Sequence, residues 1–294
     1  MSGQGVIHQQ GDSIHVNSLN AVQQDRNRES NDAWKLYEPH RNRVTSLILD
    51  ALPSGNTNRL CLLGAGNCND VDLSTLTNRC AHILLVDLDV EAMSRGITRQ
   101  GLSEHAAVQL LPSVDLTGVF GQLESFGTGS PGIDSLVQIA TSYSPTELTG
   151  DFDATVSLCL LSQLVDSVLQ TIKDPEAAVE LTRAVRQRHI RLLLEQCRPG
   201  GRAVLINEVV SSDTTPGLPE IDDARLPAFL AGLLAAGNFF TGLHPGIIQQ
   251  ELKTDPALAS LVSDLQIATP WKWPFLYRTY AVTAFIIGRR ASVV

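Results

Sequence analysis

An α/β fold built on a parallel sheet is predicted by three observations. Short apolar runs alternate with helical patterns between Arg59 and Leu116, which is the rhythm of βαβ units. The first run ends in Gly64-Ala65-Gly66, a turn that lets a chain pass sharply from strand to helix. Hydrophobic residues make up 43% of the chain and aromatics only 5%, so the core is built mainly from Leu, Val, Ile and Ala. At 294 residues the chain is long enough for one large domain with a covering segment.

Each element follows in order. Residues 1–29, rich in Gln, Asn, Asp, Ser and Gly, are expected to be partly disordered. Between Ser30 and Leu52, Trp34, Tyr37, Val44, Leu47, Ile48 and Ala51 recur at threes and fours, and Pro39 separates a short turn from a helix starting at His40. Residues 30–58 are read as a helical lid ahead of a main domain at 59–294. Within that domain Arg59–Leu63 is a strand, residues 69–78 a helix, Ala81–Val86 a strand, Val90–Arg99 a helix and Val108–Leu111 a strand. Residues 117–150, rich in Gly, Ser, Thr and Pro, read as an insertion that covers the carboxyl edge of the sheet. A fourth strand at Phe152–Leu158 precedes a long helix from Pro175 to Cys197, stopped by Pro199-Gly200-Gly201. Arg202–Val209 is the fifth strand, residues 211–263 hold two helical stretches, and Leu276–Gly288 reads as a buried strand.

The formal charge of -9 argues against a nucleic acid or an anionic membrane as partner, since both need a basic face. Arg183, Arg186, Arg188 and Arg191 crowd one predicted helix and read as a solvated face, with His189 among them. Cys61, Cys68, Cys80, Cys159 and Cys197 show neither CxxC nor zinc-ligand spacing, so no metal is expected and they read as reduced, packed thiols. The amino-terminal residues lack the apolar stretch of a signal peptide and no segment is long enough to cross a bilayer, so a cytoplasmic location is expected.

The chemistry is carried by LCLLGAGNCND, Leu60 to Asp70, and by Asp87 at the end of the next strand. Glycines in the turn let a ligand approach the backbone, and the following helix would offer free N–H groups. A carboxylate about twenty residues on is placed to accept hydrogen bonds from ribose hydroxyls. A dinucleotide fingerprint needs a third Gly or Ala where Asn69 stands, whereas S-adenosylmethionine carries no phosphate and does not need that packing. The methyl donor is therefore favoured. An NAD(P)-dependent oxidoreductase is the alternative, and a non-catalytic partner-binding module of the same fold is the third reading.

From Arg59 to Gly288 the chain resembles the class I S-adenosylmethionine-dependent methyltransferases. The motifs are LLGAGNCND, LLVDLD, VDLTG, FDATVSLCLLSQL and PGGRAVLINEVV, with PWKWPFLYRTYAVTAFIIGRR similar to the final strand pair of these enzymes. The resemblance implies a Rossmann-like three-layer sandwich with a mostly parallel seven-stranded sheet and an antiparallel last strand. It implies methyl transfer from S-adenosylmethionine to a nucleophile that the motifs leave unidentified, and the covering segments favour a small molecule. Gly64, Ala65 and Gly66 would wrap the methionine part, Asp87 would hold the ribose, and Leu88 would line the adenine. Asp115 would meet the adenine amino group with Leu116 beside it, and Ser157 and Leu158 would face the sulfonium end. Cys68 departs from the pattern, standing where many relatives carry a third Gly.

Plainer roles stand beside these. Asp115 suits a turn before Leu-Thr-Gly, and Asp89 suits the cap of the next helix. A general base is optional for a transfer governed by alignment, and Glu208, His40 and Tyr37 are the candidates if one is used. Gln163 and Glu208 lie beyond strand ends where substrate-facing groups belong, and Trp271 and Trp273 would serve as an aromatic wall or as edge packing.

Overall fold

The computed structural model describes residues 19–124, 126 and 132–291. Its first elements are helices α1 (Leu19–Glu29) and α2 (Glu38–Ala51), followed by β1 (Asn58–Leu63), α3 (Leu73–Thr77), β2 (Cys80–Asp87), α4 (Val90–Arg99) and β3 (Val108–Pro112). Helices α5 (Phe120–Glu124) and α6 (Ile133–Ser142) lead to β4 (Phe152–Leu158), α7 (Leu160–Thr171), α8 (Pro175–Gln196) and β5 (Cys197–Ser211). The chain ends in α9 (Leu226–Ala235), α10 (Pro245–Thr254), α11 (Pro256–Ala259), β6 (Val262–Ile267), β7 (Trp271–Phe275) and β8 (Arg278–Arg289).

The sheet runs β3-β2-β1-β4-β5-β8-β6, with β7 paired to β8. Strands β1 to β5 are parallel neighbours, while β8 is antiparallel to β5, β6 and β7. The expected fold class holds, with eight strands in place of seven. The extra strand is β7, which folds back on β8 from Phe275↔Arg278 to Trp271↔Val282, while β6 pairs with the other end of β8. Strand β1 is buried on both faces because helices cover each. Leu60 and Leu62 pack toward α2, α3 and α4, and Cys61 and Leu63 toward α7, α8 and α10. Register brings Leu63 beside Val86 and Ser157, so Gly64, Asp87 and Leu158 follow or end three adjacent strands at one edge.

Several expectations change. Residues 1–18 lie outside the described residues, and of the segment expected to be partly disordered Leu19–Glu29 is a helix. Its sequence is polar, and it is held by side-chain bonds: Asn27 Nδ2 donates to Asp89 Oδ2 at 3.1 Å, and Arg26 pairs with Asp166. The helix read at 69–78 starts only at Leu73, where Asp72 accepts from Thr75 N. Residues 67–72 instead anchor the chain ahead of them. Asn67 Nδ2 donates to the Asn27 carbonyl and Asn69 Nδ2 to the Ser30 carbonyl at 2.7 Å, while Asn69 Oδ1 accepts from Arg99 Nη1 at 2.8 Å.

Within 117–150 the structure places α6 against α8, with Leu136 and Ala140 fully buried in a cluster with Leu181 and Val185. Helix α6 is carried on α8 because its apolar residues form a stripe that α8 can bury, while Phe120 from the same segment lines the cavity at the carboxyl edge. Of the four arginines of α8, Arg183 and Arg191 are exposed as expected, but Arg186 and Arg188 are buried. Arg186 is buried against Glu251 and the Gly242 carbonyl, and Arg188 against Glu195 and the Tyr143 carbonyl, since α8 is enclosed by the sheet and by α6 and α10. His189 is fully buried too. Among the described residues no helix is long and apolar enough to cross a membrane.

Candidate active site

A cavity of about 620 Å³ opens at the carboxyl ends of β1, β2 and β4, beneath α1 and the β7–β8 hairpin. Gly64, Ala65, Gly66, Asp87, Leu88, Asp115, Leu116 and Leu158 line it. Gly64 has φ +77°, and a Cβ there would lie 2.8 Å from Leu160 Cβ, so the first glycine is required by both backbone and space. Cys68 keeps the same left-handed geometry, φ +51°, at the position where a third glycine would relax it. Its thiol is fully buried, and burial raises its pKa above the ordinary thiol range.

Asp87 closes the turn. Its Oδ2 accepts from Gly66 N at 2.8 Å and its Oδ1 from Asp89 N at 2.9 Å. Burial raises its pKa, while these two backbone donors work in the opposite direction. Beyond it Leu88, Val114, Leu116 and Phe120 offer an apolar wall. Asp115 holds the turn that follows β3: its oxygens accept from Thr117 N and Oγ1, both at 2.7 Å, and from Phe120 N at 3.0 Å. The plain turn role of Asp115 is thus realised, on a residue that also borders the cavity. Asp89 caps α4 by accepting from Ala92 N.

The inner end is different in character. Tyr37, Asp70, Cys159, Glu208, Trp273 and Tyr280 line it together. Burial pushes the Asp70 carboxyl up to about 7, with the nearby Glu208 charge adding to the shift. Burial also lifts Glu208 to about 7, against the hydrogen bond its Oε2 accepts from Ser162 Oγ at 2.8 Å. Tyr280 is pushed up to about 12, mainly by burial, and Tyr37 lies higher than its ordinary range for the same reason. Tyr37, Trp273, Phe275 and Tyr280 pack ring to ring, with Tyr37 and Trp273 edge-on at 5.1 Å.

His40 and Ser157 are placed elsewhere. His40 does not border the cavity: it is fully buried, stacked 4.1 Å from Trp273, and burial lowers its pKa to about 3. Its Nδ1 accepts from Trp271 Nε1 at 3.1 Å, which leaves the proton of the neutral ring on Nε2, 3.9 Å from Asp70 Oδ1. Ser157 points to the opposite face of β4, with its Oγ 2.8 Å from His189 Nε2. Side chains alternate along a strand, so Leu158 borders the cavity and Ser157 cannot. Gln163 and Trp273 border it, whereas Trp271 packs on His40.

Sequence reasoning gave no role to Asp70, Cys159, Arg26 or Tyr280, although all border the cavity. Asp70 stood inside the glycine motif and was a signal that could have been used: an acid in an otherwise apolar and amide turn needs a reason to be there. Among the described residues no group of three His, Cys, Asp or Glu side chains could hold a metal ion.

No protein-family model matches the chain, and no curated protein sequence does. Solved structures do. The chain is similar to the N-methyltransferase NodS from Bradyrhizobium japonicum WM9 in complex with S-adenosyl-L-homocysteine, at 12% identity over 92% of this chain and 99% of that one, TM-score 0.48. It is similar to the YcgJ protein from Bacillus subtilis at 10% identity over 86% and 100% of the two chains, TM-score 0.47. An O-methyltransferase family protein from Burkholderia thailandensis is similar at 15% identity over 94% of this chain and 64% of that one, TM-score 0.45.

Proposed function

We propose that the chain is an S-adenosylmethionine-dependent methyltransferase acting on a small molecule. The observation that carries this reading is Asp87, a carboxylate at the end of β2 bonded to Gly66 N at the lip of the cavity. The residues present fit the cofactor. The left-handed turn at Gly64–Gly66 would hold its methionine part, Asp87 its ribose, and Leu88, Leu116 and Phe120 its adenine. When bound, the cofactor supplies an electrophilic methyl group. The cavity is within the range of small-molecule sites and large enough for a cofactor and a modest acceptor. The alternative, a nicotinamide dinucleotide, is poorly served. A pyrophosphate needs a helix N-terminus against the glycine turn, and α3 starts only at Leu73, where Asp72 already caps it.

Thermal unfolding tests the reading. S-adenosylmethionine or S-adenosylhomocysteine, each at a hundredfold its dissociation constant, is expected to stabilise the fold by about 2.7 kcal/mol, while NAD and NADP leave the melting temperature unchanged. Stabilisation by NAD alone would overturn it.

A further inference from the structure

The inner end of the cavity carries two carboxylates with no base to match them. Among the described residues no lysine or arginine stands within ion-pairing distance of Asp70 or Glu208. The two cations of the cavity wall are already engaged, Arg26 with Asp166 and Arg278 with Asp213. Arg41, whose charge reaches Asp70, is bonded to the Trp34 and Asn69 carbonyls. Asp70 is 21% exposed and lines the cavity, while its Oδ1 is buried 3.9 Å from His40 Nε2. Its Oδ1 has no hydrogen-bond partner among the described residues.

A second observation points the same way. Tyr37 is 2% exposed, yet its hydroxyl, whose oxygen can accept a hydrogen bond from an ammonium, has no partner among the described residues. Buried polar groups are almost always satisfied, so unsatisfied ones bordering a cavity mark a place where a ligand supplies the partner. The Tyr37 hydroxyl stands in the field of Asp70, Glu208 and Tyr280. Carboxylates beside ring faces form a set suited to an organic cation, which gains from the charge and from the π-electron faces together. A cation offsets the burial that disfavours ionisation of these two carboxyls, which neither an anion nor a neutral alcohol does.

We propose that the acceptor molecule is a small cationic amine, held by the carboxylates of Asp70 and Glu208 against the rings of Tyr37, Trp273 and Tyr280. This rests on the methyltransferase reading for its chemical purpose. An ammonium has no lone pair to give. A proton passes from the bound ammonium nitrogen to a Glu208 carboxylate oxygen, which becomes the carboxylic acid and leaves a neutral amine with its lone pair free.

Calorimetric titration separates the two readings. Benzylamine and n-butylamine, with benzyl alcohol, n-butanol, benzoate and butyrate as shape-matched partners, are titrated into the protein alone and into protein saturated with S-adenosylhomocysteine. The expected result is that at least one amine binds about tenfold more tightly than its alcohol and acid counterparts. Glu208→Gln and Asp70→Asn should each weaken that amine by about tenfold or more while S-adenosylhomocysteine binds as in the parent chain. A retained melting transition shows that both variants fold. The proposal is overturned if alcohol or acid binds as well as the amine, or if no amine binds. It is also overturned if the variants lose the demethylated cofactor as strongly as the amine, since the carboxylates then hold the cofactor. If S-adenosylhomocysteine fails to bind and an amine still binds selectively, the methyltransferase reading falls and the amine site stands.

Discussion

Arg26 on α1 meets Asp166 on α7 across the cavity, Nη2 to Oδ2 at 2.5 Å, with the two side chains 38% and 40% exposed. A pair this exposed is screened and weak, so it fastens α1 lightly over the glycine turn. Removing it should change the dynamics of the roof more than the stability of the fold. Arg26→Ala is expected to speed release of S-adenosylhomocysteine about two- to fivefold with little change in melting temperature. Stopped-flow displacement reads the rate, and an unchanged rate would show that α1 does not restrain the ligand.

Asp87→Asn should raise the dissociation constant of S-adenosylhomocysteine by about tenfold or more. A carboxylate bonded to two ribose hydroxyls contributes on the order of 1.5–3 kcal/mol per bond, and an amide offers one acceptor oxygen in place of two. Titration calorimetry gives the value, with circular dichroism to check the fold. Equal affinity in the two proteins would remove Asp87 from the ribose site.

The buried carboxylates set the alkaline side of stability. Asp70 and Glu208 each titrate at about 7 in the folded chain, above the ordinary carboxylate range, because burial disfavours their charge. Such groups stabilise fully below the unfolded pKa of roughly 4, and that stability is lost as pH rises through about 7. Asp70→Asn and Glu208→Gln are therefore expected to be more stable than the parent by about 1–3 kcal/mol at pH 8, with the gain vanishing near pH 4.5. Urea unfolding at both pH values measures this. A gain of the same size at each would mean that the carboxyls do not titrate in the folded state.

His40 and His189 set the acid side. Burial lowers them to about 3 and about 4, and the positive charges of Arg41 and Arg188 add to the effect. Groups with a depressed folded pKa stabilise above the unfolded value of roughly 6.5, and that stability is lost as pH falls toward 4. His189→Gln, which keeps a polar partner for Ser157, should flatten the fall in stability between pH 6.5 and 4.5. Parallel urea curves for variant and parent across that range would contradict it.

Asn69 ties two separate segments together, donating to Ser30 and accepting from Arg99. Asn69→Ala leaves a buried carbonyl and a guanidinium group without this partner, at a cost of about 1–3 kcal/mol. Limited proteolysis should then cut first between residues 19 and 37. Cleavage elsewhere at the same rate as in the parent would show that the amino-terminal segment has other anchors that suffice.

Much of the site could be read from the sequence because its signals are local. The glycine turn, the strand before it and the acid after the next strand each depend on a few neighbouring residues, and the expected glycines and Asp87 border one cavity. What the sequence hid depends on long-range packing. Every residue of β4 is buried, so no apolar alternation reveals that Ser157 faces α8 while Leu158 faces the cavity. Polar α1 has no apolar stripe to announce it, and its order comes from bonds to residues far along the chain. Arg186 and His189 look solvated by composition, and only their partners on α10 and β4 make burial tolerable.

The order of strands carries a consequence for how the chain is made. Strand β8 follows every other strand in sequence yet lies inside the sheet, between β5 and β6. Until it has left the ribosome, β5 has an open edge and β6 has no neighbour in the sheet. The same strand brings in the hairpin whose Trp271 meets His40, a bond spanning 231 residues. A chain without β8 therefore exposes an apolar edge on β5 and leaves the cavity unfinished, so the arrival of β8 completes the sheet and the site together.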